Sequence, residues 1–380
     1  MKLSSRTEHG TDDIELLERM IRPLCSWFAD QARDLPWRRT RDPYCIWVSE
    51  IMLQQTRVEA VKPYYSRFIS ELPDVRALAA CPEDTLLKLW EGLGYYSRVR
   101  NMQKAAAVIV QQYDGVFPQD EKLLLKLPGI GPYTAGAVAS IAFGRAVPAV
   151  DGNVLRVISR LTGSSEDILL DSTKKHITGL LEAVIGSTDP GILNQAMMEL
   201  GALICLPGEN CSCSLCPLQD LCVSRRLGIT DRIPVRNVKT KRKMERRTIL
   251  VISDGIHGAL RKRPEKGLLA GLYELPGLEG ERTEEEVLSY IRSLQLEPVR
   301  ISKLPDAKHV FSHVTWIMSG YMVLVEELKE KGGNGLIIFE TAGGETGFAI
   351  PAAFEAYAKY LNIKKGREAL LAASGPSEVG

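Results

Sequence analysis

The sequence predicts a multidomain protein in which an all-α domain precedes a smaller α+β domain. Three observations carry that prediction. From residue 13 to about residue 222, apolar side chains recur every three or four positions, the period of amphipathic helices. Beyond residue 248 they fall into short Val-, Ile- and Leu-rich runs of strand type. Between the two, residues 225–247 hold ten Lys or Arg against two acids. The expected boundaries are 1–224 for the helical domain, 225–247 for a basic linker, 248–365 for the α+β domain and 366–380 for a disordered tail.

In chain order, the helical runs of the first domain include residues 14–32, 48–70, 83–93 and 100–113, parted by Pro-, Gly- and Asp-rich connections such as 35–44, 71–75, 117–120 and 127–132. In the second domain, strand-like runs at 248–253, 258–264, 271–276, 299–304, 309–325 and 335–340 are mixed with helical patterns at 283–295 and 351–361. The chain has 380 residues, 45% hydrophobic and 25% charged, enough for two or three domains with cores of their own. A net charge of +1 excludes a wholesale polycation, so contact with nucleic acid must come from local basic clusters. The basic linker reads either as a solvated connection or as a strap along phosphates. The polar amino terminus and the lack of a bilayer-spanning apolar run lead us to expect a cytoplasmic protein.

Residues 127–154 organise the chemistry. Gly129 and Gly131, one apolar residue apart between two apolar-periodic segments, read as the turn of a helix, hairpin, helix unit. Its bare N–H groups and the start of the next helix make a seat for a backbone phosphate. Some twenty residues on, Asp151 stands at the N-cap of another helix, where amide donors and the helix dipole are expected to keep it ionised. A second carboxylate, Glu50, lies among Trp47, Val48, Ile51 and Met52, so burial is expected to raise its pKa and make it a proton donor near neutrality. Two carboxylates pushed apart in this way suit glycosidic cleavage through an oxocarbenium-like state.

Five of the eight cysteines fall between Cys205 and Cys222, which in a reducing compartment points to metal ligation rather than disulfides. The spacing Cys205-x7-Cys213-x2-Cys216-x5-Cys222 supplies four thiolates, suited to zinc or to a [4Fe-4S] cluster; Cys211 is left over.

Taken together, VSEIMLQQT, GLGYYSR, LPGIGPYTAGA, VDGNV, the cysteine loop and the LLAGLYELPG and HVFSHVTW segments resemble the helix-hairpin-helix DNA glycosylase superfamily, and within it the adenine DNA glycosylases with a Nudix-like carboxy-terminal domain. The resemblance spans nearly the whole chain. It implies an all-α glycosylase domain with a [4Fe-4S] loop ligated by Cys205, Cys213, Cys216 and Cys222, followed by an α+β Nudix-like domain that recognises 8-oxoguanine. The family usually has six residues between its first two ligands where this chain has seven, which keeps Cys211 open as an alternative.

The implied activity is a monofunctional adenine glycosylase of base excision repair, acting as a monomer on double-stranded DNA with adenine opposite 8-oxoguanine or guanine and leaving an abasic site. By the same resemblance Glu50 protonates the flipped adenine, Asp151 stabilises the sugar cation, and Tyr133 and Asn153 assist. Gln55 and Tyr95 match residues that wedge into the base stack, with Thr56 and Leu93 beside them. Helix packing is the equal alternative for Leu93. Arg33, Arg38 and Gln195 match the base pocket, and Phe311, Ser312 and His313 the segment that inspects the lesion. Bifunctional relatives of the endonuclease III type carry an attacking lysine where this chain has Tyr133, making that class the near alternative. A Nudix hydrolase is remote, since Ser293 and Leu294 stand where its metal-binding glutamates belong. An inert DNA-binding hairpin protein is disfavoured by Glu50, Asp151 and Tyr133 together.

Overall fold

The computed structural model describes residues 4–237, 242–328, 335–342 and 346–363, with side chains from residue 12 onward. The expected tail at 366–380 and residues 238–241 of the basic segment lie outside the described residues. The helices in chain order are α1 (Ser4–Gln31), α2 (Pro43–Leu53), α3 (Val58–Glu71), α4 (Val75–Ala80), α5 (Glu83–Leu89), α6 (Ser97–Tyr113), α7 (Glu121–Leu124), α8 (Pro132–Phe143), α9 (Gly152–Thr162), α10 (Asp171–Val184), α11 (Pro190–Leu203) and α12 (Val223–Arg226). The chain clusters into two compact units, Met1–Ala80 with Asn101–Val238 and Cys81–Arg100 with Lys239–Gly380.

In the first unit, helix starts follow local chemistry. Asp42, Asp151 and Asp189 each accept an amide proton at an N-cap, and Pro43, Pro132 and Pro190 stand at first helical positions, where a missing N–H costs nothing. A core formed by Leu17, Met20 and Leu24 of α1, Val154 and Ile158 of α9, Leu181 of α10 and Met197 of α11 gathers the segments that carry the site. The run at 48–70, expected as one helix, is broken between α2 and α3, where Gln55 takes a left-handed φ of 58°. No helix among the described residues is long and apolar enough to cross a membrane.

The second unit is built on a sheet of β1 (Lys243–Ser253), β2 (His257–Lys262), β3 (Tyr273–Glu274), β4 (Gly277–Glu279), β5 (Pro298–Val310), β6 (Val314–Val325) and β7 (Ile337–Glu340). The order is β3-β2-β1-β6-β5, with β4 on β1 and β7 on β2. β1 and β6 run parallel and are covered on both faces. Ile249, Val251, Trp316 and Met318 pack with Phe354 and Tyr357, whereas Leu250, Ile252, Tyr321 and Val323 pack with Val287 and Ile291 of α13 (Glu284–Ser293). This explains why both strands read as continuous apolar runs.

Two expected boundaries are corrected. Residues 243–247, read as linker because of their charge, are strand, since the ladder with β6 starts at Lys243 paired with Val314. Residues 81–100, read as part of the helical domain, group with the sheet. Ile350 N donates to the buried Glu91 carboxylate at 2.8 Å, and Arg100 Nη1 donates to Ala270 O at 2.7 Å. A helical period reports that a face is buried, not what buries it.

Candidate active site

Glu50 sits in the last two turns of α2 and is only 6% exposed. Tyr133, on the first turn of α8, donates its hydroxyl proton to Glu50 Oε2. Burial pushes the Glu50 carboxyl up to about 7; the Tyr133 hydrogen bond and the Arg38 cation pull it down, and the Asp151 charge adds to the rise. Burial beside that carboxylate also drives the Tyr133 phenol well above its ordinary range, so it remains a hydrogen-bond donor.

Asp151 caps α9, accepting from Val154 N at 2.8 Å through one oxygen and from Asn153 Nδ2 at 2.8 Å through the other. The expectation that this position lowers its pKa is overturned. Burial raises it, outweighing the amide donors and the Arg156 cation that act in the opposite sense. Behind it Arg156 donates to Asn153 Oδ1 at 2.8 Å and to Cys205 O at 2.7 Å, which fixes the Asn153 amide.

Arg33 and Arg38 flank Trp37 as the sequence shows, but both turn onto Glu199 of α11, a carboxylate that is 1% exposed. Arg33 reaches it through Nε at 2.9 Å, Nη2 at 2.6 Å and its backbone N at 3.0 Å; Arg38 reaches it through Nη1 at 3.0 Å and Nη2 at 2.9 Å. Burial alone would raise the Glu199 pKa, yet these donors bring it to about 2. Arg33, Arg38 and Gln195 line a cleft of about 330 Å³ with Phe28, Ile141 and Asp189. Gln195 donates to Gly191 O at 3.1 Å.

The hairpin joins α7 and α8. Gly129 has φ 76°, and a Cβ there would lie 2.6 Å from Asn101 Cβ; Gly131, the N-cap of α8, has no atom within 4 Å of such a position. Between α2 and α3, Gln55 is exposed and Thr56 Oγ1 donates to Gln54 O at 3.4 Å.

In the second unit, Phe311, Ser312 and His313 form the tip of the β5–β6 hairpin, closed by Phe311 N to Val314 O at 2.8 Å. Phe311 stacks edge-on to Trp316 at 4.9 Å and to His309 at 4.6 Å, while Ser312 and His313 are exposed. Tyr95, exposed and left-handed at φ 48°, shares a 2.7 Å hydrogen bond with Ser312 Oγ. These residues line a cleft of about 730 Å³ within this unit. Leu93 lines it too and is buried, as the packing alternative requires.

The cysteine loop follows α11. Cys205, Cys216 and Cys222 pack against the α1, α9, α10 and α11 core, and Cys213 opens a short 3₁₀ turn. Burial pushes the Cys216 thiol up to about 12, and the charges of Cys205, Cys222 and Cys213 act on it in the same direction. Thiols that oppose one another's ionisation form a donor set that a cationic group stabilises, consistent with an iron–sulfur loop. Cys211 Sγ accepts from Arg160 Nη1 at 2.7 Å and faces Leu206 O at 3.1 Å, and the same guanidinium nitrogen reaches Cys205 Sγ at 3.3 Å.

Residues 48–184 match the family model described as HhH-GPD superfamily base excision DNA repair protein, and residues 248–360 match a NUDIX domain. The adenine DNA glycosylase of Mus musculus is 34% identical over 362 residues, covering 80% of this chain and 70% of that protein. The adenine DNA glycosylase of Buchnera aphidicola subsp. Baizongia pistaciae is 33% identical over 325 residues, covering 83% and 89%. The chain belongs to the adenine DNA glycosylase family. As such it is a DNA N-glycosylase of base excision repair. A solved structure of a thermostable thymine-DNA glycosylase resembles it at 28% identity and a TM-score of 0.50, over 57% of this chain and 98% of that one.

Of the expected site residues of this adenine DNA glycosylase, Glu50, Tyr133, Asp151 and Asn153 all fall inside the HhH-GPD match, as do Gln55 and Gly129. Sequence reasoning missed Glu199 and Arg156. Glu199 stands one helical turn after Gln195 among Met197, Met198 and Leu200, the same apolar setting that singles out Glu50.

Proposed function

We propose that the protein excises adenine paired with 8-oxoguanine, and with guanine, from double-stranded DNA, acting as a monomer and leaving an abasic site. The observation that carries this reading is a buried Glu50 at about 7 that accepts from Tyr133 and feels the charge of Asp151. Tyr133 occupies Glu50 Oε2, which leaves Oε1 to carry the proton passed to a flipped adenine. Asp151, fixed by Asn153 and the α9 amide, faces the cation that develops as the base departs. Water then adds at the sugar carbon and gives up its proton to the Glu50 carboxylate, which restores the acid. A phenol cannot form a Schiff base, which favours hydrolysis without strand cleavage.

Gly129 and Gly131 would seat a phosphate, Gln55 and Tyr95 would enter the stack with Thr56, and Arg33, Arg38 and Gln195 would hold the base. Phe311, Ser312 and His313 would read the opposite base. Cys205, Cys213, Cys216 and Cys222 would hold a [4Fe-4S] cluster. No three described His, Cys, Asp or Glu side chains are arranged for a single metal ion.

Single-turnover assays on duplexes with adenine opposite 8-oxoguanine, adenine opposite thymine, and oxidised pyrimidines test this. Adenine release from the first alone is expected; release of oxidised pyrimidine instead would overturn the reading.

A further inference from the structure

The Glu199 clamp has features that pocket lining alone does not need. A carboxylate with almost no exposure is met by five N–H donors from residues more than 160 positions away, and both guanidiniums are held side by side by its two oxygens. Arg38 is also fixed by a bond to Arg33 O at 3.1 Å and rests over the Phe28 ring at 5.1 Å. Fork-to-carboxylate pairing of this kind sets geometry as well as energy. It also sets charge. Arg38 is close enough to Glu50 to favour its ionised form, so any positive charge left uncompensated here works against the proton donor.

We propose that Glu199 is a positioning residue that holds Arg33 and Arg38 as one fixed fork beside the base pocket and offsets their charge, so that Glu50 keeps its proton. This rests on Glu50 being the acid of the proposed function. The other groups facing Glu50 are Tyr133 from α8, Asp151 from the start of α9 with Asn153 and Arg156 behind it, and Arg38 itself. Removing the Glu199 charge adds one net positive charge to this set. The pH at which Glu50 ionises then falls, and the alkaline limb of the rate profile moves to lower pH. Removing Arg38 moves it the other way.

The test is single-turnover adenine release by the full chain, from duplex with adenine opposite 8-oxoguanine, across the pH range. Glu199→Gln is expected to lower the midpoint of the alkaline limb by about half to one pH unit. Glu199→Asp should stay near the parent midpoint, and Arg38→Gln should raise it. An unmoved midpoint in Glu199→Gln, including one with a uniformly reduced rate, overturns the proposal. Should Glu199→Gln not fold, an unmoved midpoint in Arg38→Gln does the same. A parent protein that releases no adenine at any pH overturns the proposed function instead, so the two failures are distinguishable.

Discussion

At the scale of single residues, the chemistry turns on how two carboxylates meet different surroundings. Glu50 has one hydroxyl donor and is buried, and its pKa rises to about 7; Asp151 has backbone and amide donors that counter its burial. In the proposed mechanism the protonated form of Glu50 is the active one, so the rate should fall about tenfold per pH unit above pH about 7. The same mechanism needs Asp151 ionised, so its raised pKa should place an acid limb higher than an ordinary aspartate would. A pH profile with no alkaline limb would contradict the role given to Glu50. Glu50→Gln keeps the shape, cannot donate the proton, and should reduce single-turnover excision by about a hundredfold or more while duplex affinity stays near that of the parent. Glu50 was legible because its apolar neighbours adjoin it in sequence. The Glu199 clamp was not, since its partners Arg33 and Arg38 are brought to it only by folding.

Elements carry a second kind of information, which depends on who packs on whom. The hairpin was legible from its two glycines, and the structure separates their duties. Gly129→Ala meets both a left-handed backbone and the Asn101 side chain, so it should lose about 1–2 kcal/mol of stability or more in a denaturation experiment. Gly131→Ala meets no neighbour and should melt like the parent but bind duplex DNA more weakly, because the added methyl stands where a phosphate would approach. Equal stability in both variants would show that the crowding at Gly129 is inconsequential. In the cysteine loop, Cys213→Ser should purify without iron whereas Cys211→Ser retains it, since Cys213-x2-Cys216 supplies the paired ligands of the expected set; metal analysis decides this, and retention of iron by Cys213→Ser would move the ligand. The strand-like run at 309–325 turns back at Phe311, Ser312 and His313, which form the tip between β5 and β6. The parallel pairing of β1 with β6 was hidden, because register between segments some seventy residues apart leaves no local mark.

For the whole molecule, the segment 81–100 matters most, because it belongs in sequence to the helical half and in packing to the sheet. Truncation before Thr248 would therefore strip Glu91 of Ile350, Arg100 of Ala270 and Tyr95 of Ser312, so a shortened chain confounds lost recognition with lost packing. Point substitution at the hairpin tip spares the Glu91 and Arg100 contacts and gives up only the Tyr95 bond to Ser312. Adenine opposite thymine is chemically the same base as adenine opposite 8-oxoguanine, so discrimination must come from the partner base. Ser312 and His313 are exposed at the tip, Phe311 is anchored on Trp316, and Tyr95 is tethered to Ser312. Ser312→Ala combined with His313→Ala removes polar groups without touching the core, and should leave the melting temperature unchanged. The preference for adenine opposite 8-oxoguanine over adenine opposite guanine should fall by about tenfold, since contacts to a base edge are worth about 1–3 kcal/mol each. Rates and dissociation constants for the two mispairs measure that ratio directly. A ratio unchanged in the double variant would take lesion recognition away from this hairpin and leave the 730 Å³ cleft beside it without that role.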